Sequence, residues 1–138
     1  MKTYDPKLIQ VIVGGRALSG FADGTFVEVA RANDAWSLQM GTDGEGTRSK
    51  SNDKSGTITI TLMQSASDNA YLSNLALLDE LENAGIVPVM IKDAGGSSLH
   101  AAEQAYVKKT PDSEYAREAG PRVWVIETDN LQNFIGGN

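Results

Sequence analysis

Apolar and polar positions alternate most cleanly just after Gly56. Thr57, Thr59 and Thr61 fall on one side, and Ile58, Ile60 and Leu62 on the other. β-Branched residues dominate the run, which suits a pleated strand. A shorter alternation precedes it over residues 35–40. There Trp36, Leu38 and Met40 share one face, and Ser37 and Gln39 the other. Between the two runs, residues 41–55 include no aliphatic or aromatic side chain. This stretch has nothing to bury and reads as a polar loop of 15 residues, a length that in a compact domain suggests a function. The matching periods predict that residues 35–40 and 57–62 are the arms of one hairpin with this loop at its tip. One face of that hairpin is apolar; the other is polar, uncharged and small.

The same pattern predicts strands over residues 8–13, 16–18, 26–31, 86–92, 98–107 and 122–127. Residues 8–13 are nearly all apolar and are expected to be covered on both faces. Gly14-Gly15, Asp23-Gly24, Asn33-Asp34 and residues 93–96 supply turns. Pro88 lacks a ladder donor and is expected at an edge or an irregular spot. Residues 98–107 alternate weakly, so a helical reading also stands there. Residues 110–120 form a polar excursion, and residues 129–138, ending Gly-Gly-Asn, read as a mobile tail.

The period changes once. Over residues 65–84, Tyr71, Leu75, Leu78 and Leu81 recur at helical spacing, with Leu72, Ala76 and Leu77 widening the stripe. Ser65 or Ser67 can cap the start, Asp68 lies in the first turn where the helix dipole favours an acid, and Gly85 is the expected stop. The helix is placed at about 66–84, and it needs a sheet to cover. Strands, one helix, then strands imply a mainly β fold. The architecture expected is an antiparallel β-sandwich or barrel with one flanking α-helix and a long polar hairpin loop, in a single domain over residues 1–138.

Composition narrows the chemistry. With 41% hydrophobic and 22% charged residues, the chain has the balance of a globular domain and can bury a core without staples. It has no cysteine, which excludes disulfides, thiolate metal ligands and a cysteine nucleophile. The N-terminus does not read as a signal peptide, and no apolar stretch approaches membrane-spanning length. The net charge of −6 should repel DNA phosphates rather than grip them.

Candidate catalytic and ligand-binding residues are few. His100 is the single histidine, and no nucleophile or acid is visibly positioned beside it; a polar strand-face residue is the simpler reading. Asp43, Glu45 and Asp53 lack the spacing of a calcium loop. Gly41, Gly44 and Gly46 lack the lysine and the strand–helix setting of a phosphate loop. Arg48, Lys50 and Lys54 are interleaved with Asp and read as a solvated or salt-bridging cluster. Trp36 and Trp124, alternating within strands, read as core or subunit contact. Exposed strand edges remain, and closing copies side by side into a ring would pair them.

Three stretches carry a resemblance. They are Gly20-Phe-Ala-Asp-Gly-Thr-Phe, the run from Gly41 through Arg48-Ser-Lys-Ser-Asn-Asp-Lys-Ser-Gly-Thr-Ile-Thr-Ile-Thr-Leu62, and Gln64-Ser-x-Ser-x-Asn69. Together they resemble the tail tube proteins of contractile-tailed bacteriophages, most specifically from Ser49 to Ser65. The resemblance implies six-subunit rings whose inner strands join into a continuous barrel around a lumen. It implies rings stacked into a tube for DNA, with a long loop reaching the neighbouring ring, and no enzymatic activity or cofactor. Implied partners are other copies of the chain, the tail sheath protein, and tape-measure, baseplate and terminator proteins. Double-stranded DNA passes without specific binding, and no membrane is involved. The implied location is the virion tail, assembled in the host bacterial cytoplasm. On this reading Ser37, Gln39, Thr57, Thr59 and Thr61 line the lumen. Thr42, Asp43, Glu45, Thr47, Arg48, Lys50, Asn52, Asp53 and Lys54 meet the next ring. Six copies at −6 would carry about −36 per ring, which keeps DNA from adhering. Two alternatives stand beside it: the inner tube of a phage-derived bacteriocin or injection device, which moves no DNA, and a monomeric β-sandwich that binds a ligand through the long loop. A small hydrolase built on His100 is a distant third.

Overall fold

The alternating run becomes an interior strand of the main sheet. In this computed structural model, which describes residues 1–137, the strands are β1 Ile9–Val13, β2 Arg16–Ala17, β3 Val27–Arg31, β4 Trp36–Met40, β5 Gly46–Lys50 and β6 Gly56–Met63. Helix α1, Asp68–Glu82, follows, and then β7 Val87–Asp93, β8 Leu99–Lys109, β9 Pro121–Thr128 and β10 Gln132–Phe134. One antiparallel sheet runs β2-β1-β7-β8-β9-β6-β3, with β10 added on β8. Val11 and Val13 from one end of this order share a buried cluster with Ile58, Ile60 and Leu62 from the other. The sheet therefore curls over on itself, sandwich-like, around Trp124, Ile126, Val89, Ile91 and Leu72, without closing into a barrel. The mainly β, antiparallel fold with one helix agrees with the expectation.

The differences are local. The arms expected at residues 35–40 and 57–62 do not pair. β4 pairs instead with β5, inside the stretch read as loop: Trp36 faces Lys50, Leu38 faces Arg48 and Met40 faces Gly46. β6 lies between β3 and β9. The error has a physical cause. β5 buries nothing, so no apolar period marks it.

The helix is shorter than placed. Ser67 precedes it without a side-chain cap, its own backbone being already helical (φ −66°, ψ −25°) rather than extended. At the other end Asn83 takes the left-handed conformation (φ 54°), the role expected of Gly85. Gly85 instead packs close: an added Cβ would meet the Leu75 carbonyl oxygen at 2.8 Å. Residues 98–107 are strand. Pro88 occupies a register shift between β7 and β8, the irregular spot expected of it. Residues 129–137 are tied down rather than loose, since Leu131 is fully buried and β10 pairs with β8; Asn138 lies outside the described residues.

Candidate assembly surfaces

Three exposed surfaces emerge from the packing. The first is the β4–β5 hairpin, a separate two-stranded sheet that among the described residues pairs with no strand of the main one. Its tip is closed by Gly41 N–H donating to Glu45 O at 2.7 Å and Gly44 N–H to Gly41 O at 3.1 Å, with Gly44 at φ 90°. Asp43 stiffens the tip by accepting the Glu45 amide at 3.2 Å. At the base Asn33 Nδ2 donates to Asp53 at 2.5 Å, and Asp53 accepts the Ser55 amide at 2.9 Å. The Ser55 hydrogen bonds, with Asn33 adding to them, hold the Asp53 carboxyl below its ordinary range. Cross-strand neighbours share a face, so one side of the ribbon carries Trp36, Leu38, Met40, Arg48 and Lys50. The other carries Ser37, Gln39, Thr47 and Ser49. The Arg48 guanidinium lies 3.8 Å from the Trp36 ring centroid. Even so, Leu38 is 70% and Met40 62% exposed.

The second surface is the outward face of β3, β6 and β9. Ile58, Ile60 and Leu62 enter the core, so Thr57, Thr59 and Thr61 face outward together. Their neighbours across the sheet are Ala30 and Glu127 beside Thr57, Glu28 and Val125 beside Thr59, and Val123 beside Thr61. Glu127 accepts from Tyr106 Oη at 2.8 Å and pairs with Lys108 at 3.0 Å. Lys108 and then Tyr106 hold its carboxyl below the usual range, while the Glu127 bond pushes the Tyr106 phenol up. The three threonines thus share one face, but Ser37 and Gln39 belong to the separate ribbon. The outer side of β3 is a free edge of the sheet.

The third surface belongs to the helical stripe that the sequence pattern sets against a sheet. Leu72 and Ala76 are buried, but Leu77, Leu78 and Leu81 turn outward, Leu81 being 81% exposed. The sequence did carry a signal: leucines at 75, 77, 78 and 81 spread too far round the helix for one sheet to cover.

His100 sits on β8 with Nδ1 2.8 Å from Asn133 Oδ1, the partner that β10 brings to it. Among the described residues no group of three or more His, Cys, Asp or Glu side chains is placed to hold a metal ion. A cleft of about 470 Å³ is lined from both halves of the curled sheet, by Ile9, Ile91, Asp93 and His100 on one side and Phe26, Val27 and Val29 on the other.

Comparison with known proteins gives the family. Residues 11–136 match the family model described as the bacteriophage PhiTE tail tube protein. The chain belongs to this tail tube family. Tail tube proteins are structural, and a curated relative agrees: structural protein ORF10 of Pseudomonas phage KPP10 is 28% identical, with the alignment covering 99% of this chain and 83% of that protein. Among solved structures, the fold is shared with a component of the sheath/tube terminator of an extracellular contractile injection system, PVC. The TM-score is 0.60 at 12% identity, over 98% of this chain and 99% of that one. It is also shared with the tube-terminating cap of the anti-feeding prophage, AFP (TM-score 0.57, 12% identity, 97% and 92%). A chain of the PVC sheath–tube complex in its extended state is similar too (TM-score 0.57, 13% identity, 96% and 91%).

Proposed function

We propose that this tail tube protein closes into six-membered rings that stack into a hollow tube, with the outward face of β3, β6 and β9 turned to the lumen. The observation that carries the reading is the Thr57, Thr59 and Thr61 row on that face, polar and uncharged, with Glu28 and Glu127 as its acidic groups. A wall of short hydroxyls, small apolar side chains and carboxylates, with Lys108 held by Glu127 at 3.0 Å, offers a polyanion little cationic hold. The free edge of β3 supplies the joint. On the far side of the sheet, the end of β8 beyond Ala105 has β9 on one side and, among the described residues, no strand paired on the other. Pairing β3 of one copy with that segment of the next satisfies both edges and continues the lumen wall. Double-stranded DNA is the proposed cargo, passing without specific binding. A sheath outside the tube, a terminator at its end and a tape-measure protein within are the proposed partners, in a virion tail assembled in the host cytoplasm. The role is structural rather than catalytic.

Likeness to parts of extracellular contractile injection systems favours one second reading, a tube that delivers something other than DNA. Negative-stain electron microscopy of the concentrated protein tests the tube itself. Hollow tubes or rings with six-fold class averages are the expected result; single subunits at every concentration up to the solubility limit overturn self-assembly. Nuclease-protected DNA inside particles purified from the native host separates the two cargoes.

A further inference from the structure

Helix α1 is apolar on two opposite sides, which a helix lying on one sheet does not need. At about 100° per residue, Leu72 and Ala76 point to the sheet, while Ala70, Asn74, Leu77, Leu78 and Leu81 form a second stripe on the far side. Glu80 and Glu82 flank this stripe on either side, and no Lys or Arg occurs between Asp68 and Ile86. A cover for it must be apolar along its length, with cations along at least one margin to meet an acid. One surface of the same chain has that composition. The hairpin face presents Trp36, Leu38 and Met40 in a row, with Arg48 and Lys50 across from them. It too is uncovered and makes no strand pairing with the body.

We propose that this hairpin face docks on the outward stripe of α1 of a second copy. The proposal rests on the tube reading, since it names which surfaces join neighbouring subunits. Lengths agree: five strand residues span about 14 Å, and Asn74 to Leu81 about 10 Å along the helix. Charges agree as well: Arg48 and Lys50 both stand on the β5 side of the apolar row, so they meet one acidic margin of the helix, Glu80 or Glu82. The contact is heterologous, a different patch on each partner. It therefore propagates from copy to copy into a ring or a stack rather than stopping at a dimer.

The absence of native cysteine makes the test direct. Leu38→Cys and Leu77→Cys are made as separate full-length variants, mixed, allowed to assemble and oxidised. The expected product is a disulfide dimer of one variant with the other, in excess over either self-pair. Charge exchange gives a second measure. Arg48→Glu with Lys50→Glu, or Glu80→Lys with Glu82→Lys, should each lower the sedimenting fraction by more than about tenfold, and all four together should restore it. Tubes that form normally without the mixed disulfide, and that ignore the charge exchange, overturn this contact and leave the tube reading standing. A protein that stays a single subunit in every mixture overturns both.

Discussion

At the scale of single residues, Asp68 does the most with the least. Its carboxylate is buried, accepting the Ser19 amide at 2.7 Å and Arg16 Nε at 2.8 Å, so the β1–β2 turn is tied to the start of α1. Burial pushes this carboxyl up, but the Ser19 amide and the Arg16 guanidinium outweigh it and hold it below its ordinary value of 3.8. A depressed carboxyl stabilises the fold above its unfolded pKa, and the contribution is lost as pH falls through the folded value. Asp68→Ala should cost about 2–3 kcal/mol, chiefly by leaving the Ser19 amide without its acceptor. Arg16 is half exposed, and Arg16→Ala should cost about 1 kcal/mol or less. Urea melts of wild type and Asp68→Asn check the sign: their gap should be widest above about pH 5 and narrow steadily below pH 4. Leu131 is a second anchor. It is fully buried against Gly56, where an added Cβ would stand 2.9 Å from the Ala30 carbonyl oxygen. Leu131→Ala should lower stability by about 2–5 kcal/mol in thermal or urea melts, the loss of a core residue and not of a frayed tail.

At the scale of elements, the hairpin is separable from the body. At its base the two legs are held to each other, by Ser51 N–H to the Ala35 carbonyl and by the Asn33–Asp53 bond, and the chain below joins the body where Leu131 N–H donates to the Lys54 carbonyl at 2.8 Å. Replacing residues 36–50 by a short Gly-Ser link should leave the melting temperature within a few degrees, because no core residue is removed. The same variant should fail to form tubes by electron microscopy. A large loss of stability would mean that the ribbon supports the sheet. The hairpin also marks where the sequence stops being legible. Strands that bury a face announce themselves, as β6 does with Ile58, Ile60 and Leu62 and β9 with Trp124 and Ile126. β5 reads Gly-Thr-Arg-Ser-Lys, and its pairing satisfies backbone groups without burying side chains, so no period betrays it. Partner choice is hidden for a similar reason: alternation gives a strand's faces, not which neighbour lies across. That is why Trp36 to Met40 was matched to the wrong arm. The helix failed in the opposite direction. Its leucines were visible, but a stripe that one chain cannot cover looks like core until the sheet is in place. The threonine row was legible throughout, because period two fixes a strand's faces whatever its neighbours.

For the whole molecule, the question is how a protein with net charge −6 handles a polyanion. In the proposed tube the lumen wall does not attract DNA; it declines to hold it. Thr57, Thr59 and Thr61 add no charge, Glu28 adds a negative one, and Lys108, the nearby cation, is already engaged by Glu127 at 3.0 Å. A single cation in the middle of the row should reverse this, because every ring then contributes it and the copies line up along the bore. Thr59 is the position to choose, with Glu28→Gln in the same chain so that the new Lys is not engaged as Lys108 is: the Thr59 side chain faces outward beside residue 28 and Val125, so Lys there removes nothing from the core. Tubes of the Glu28→Gln, Thr59→Lys variant should form as wild type does but retain short fluorescent duplexes in a pelleting assay. Retention should be strong at low salt and fall steeply as salt rises, the mark of phosphate contacts with counterion release. Wild-type tubes should retain none at either salt. Retention by wild type would show an adhesive bore. Salt-independent capture by the variant would place residue 59 away from the channel, and with it the whole face of β3, β6 and β9.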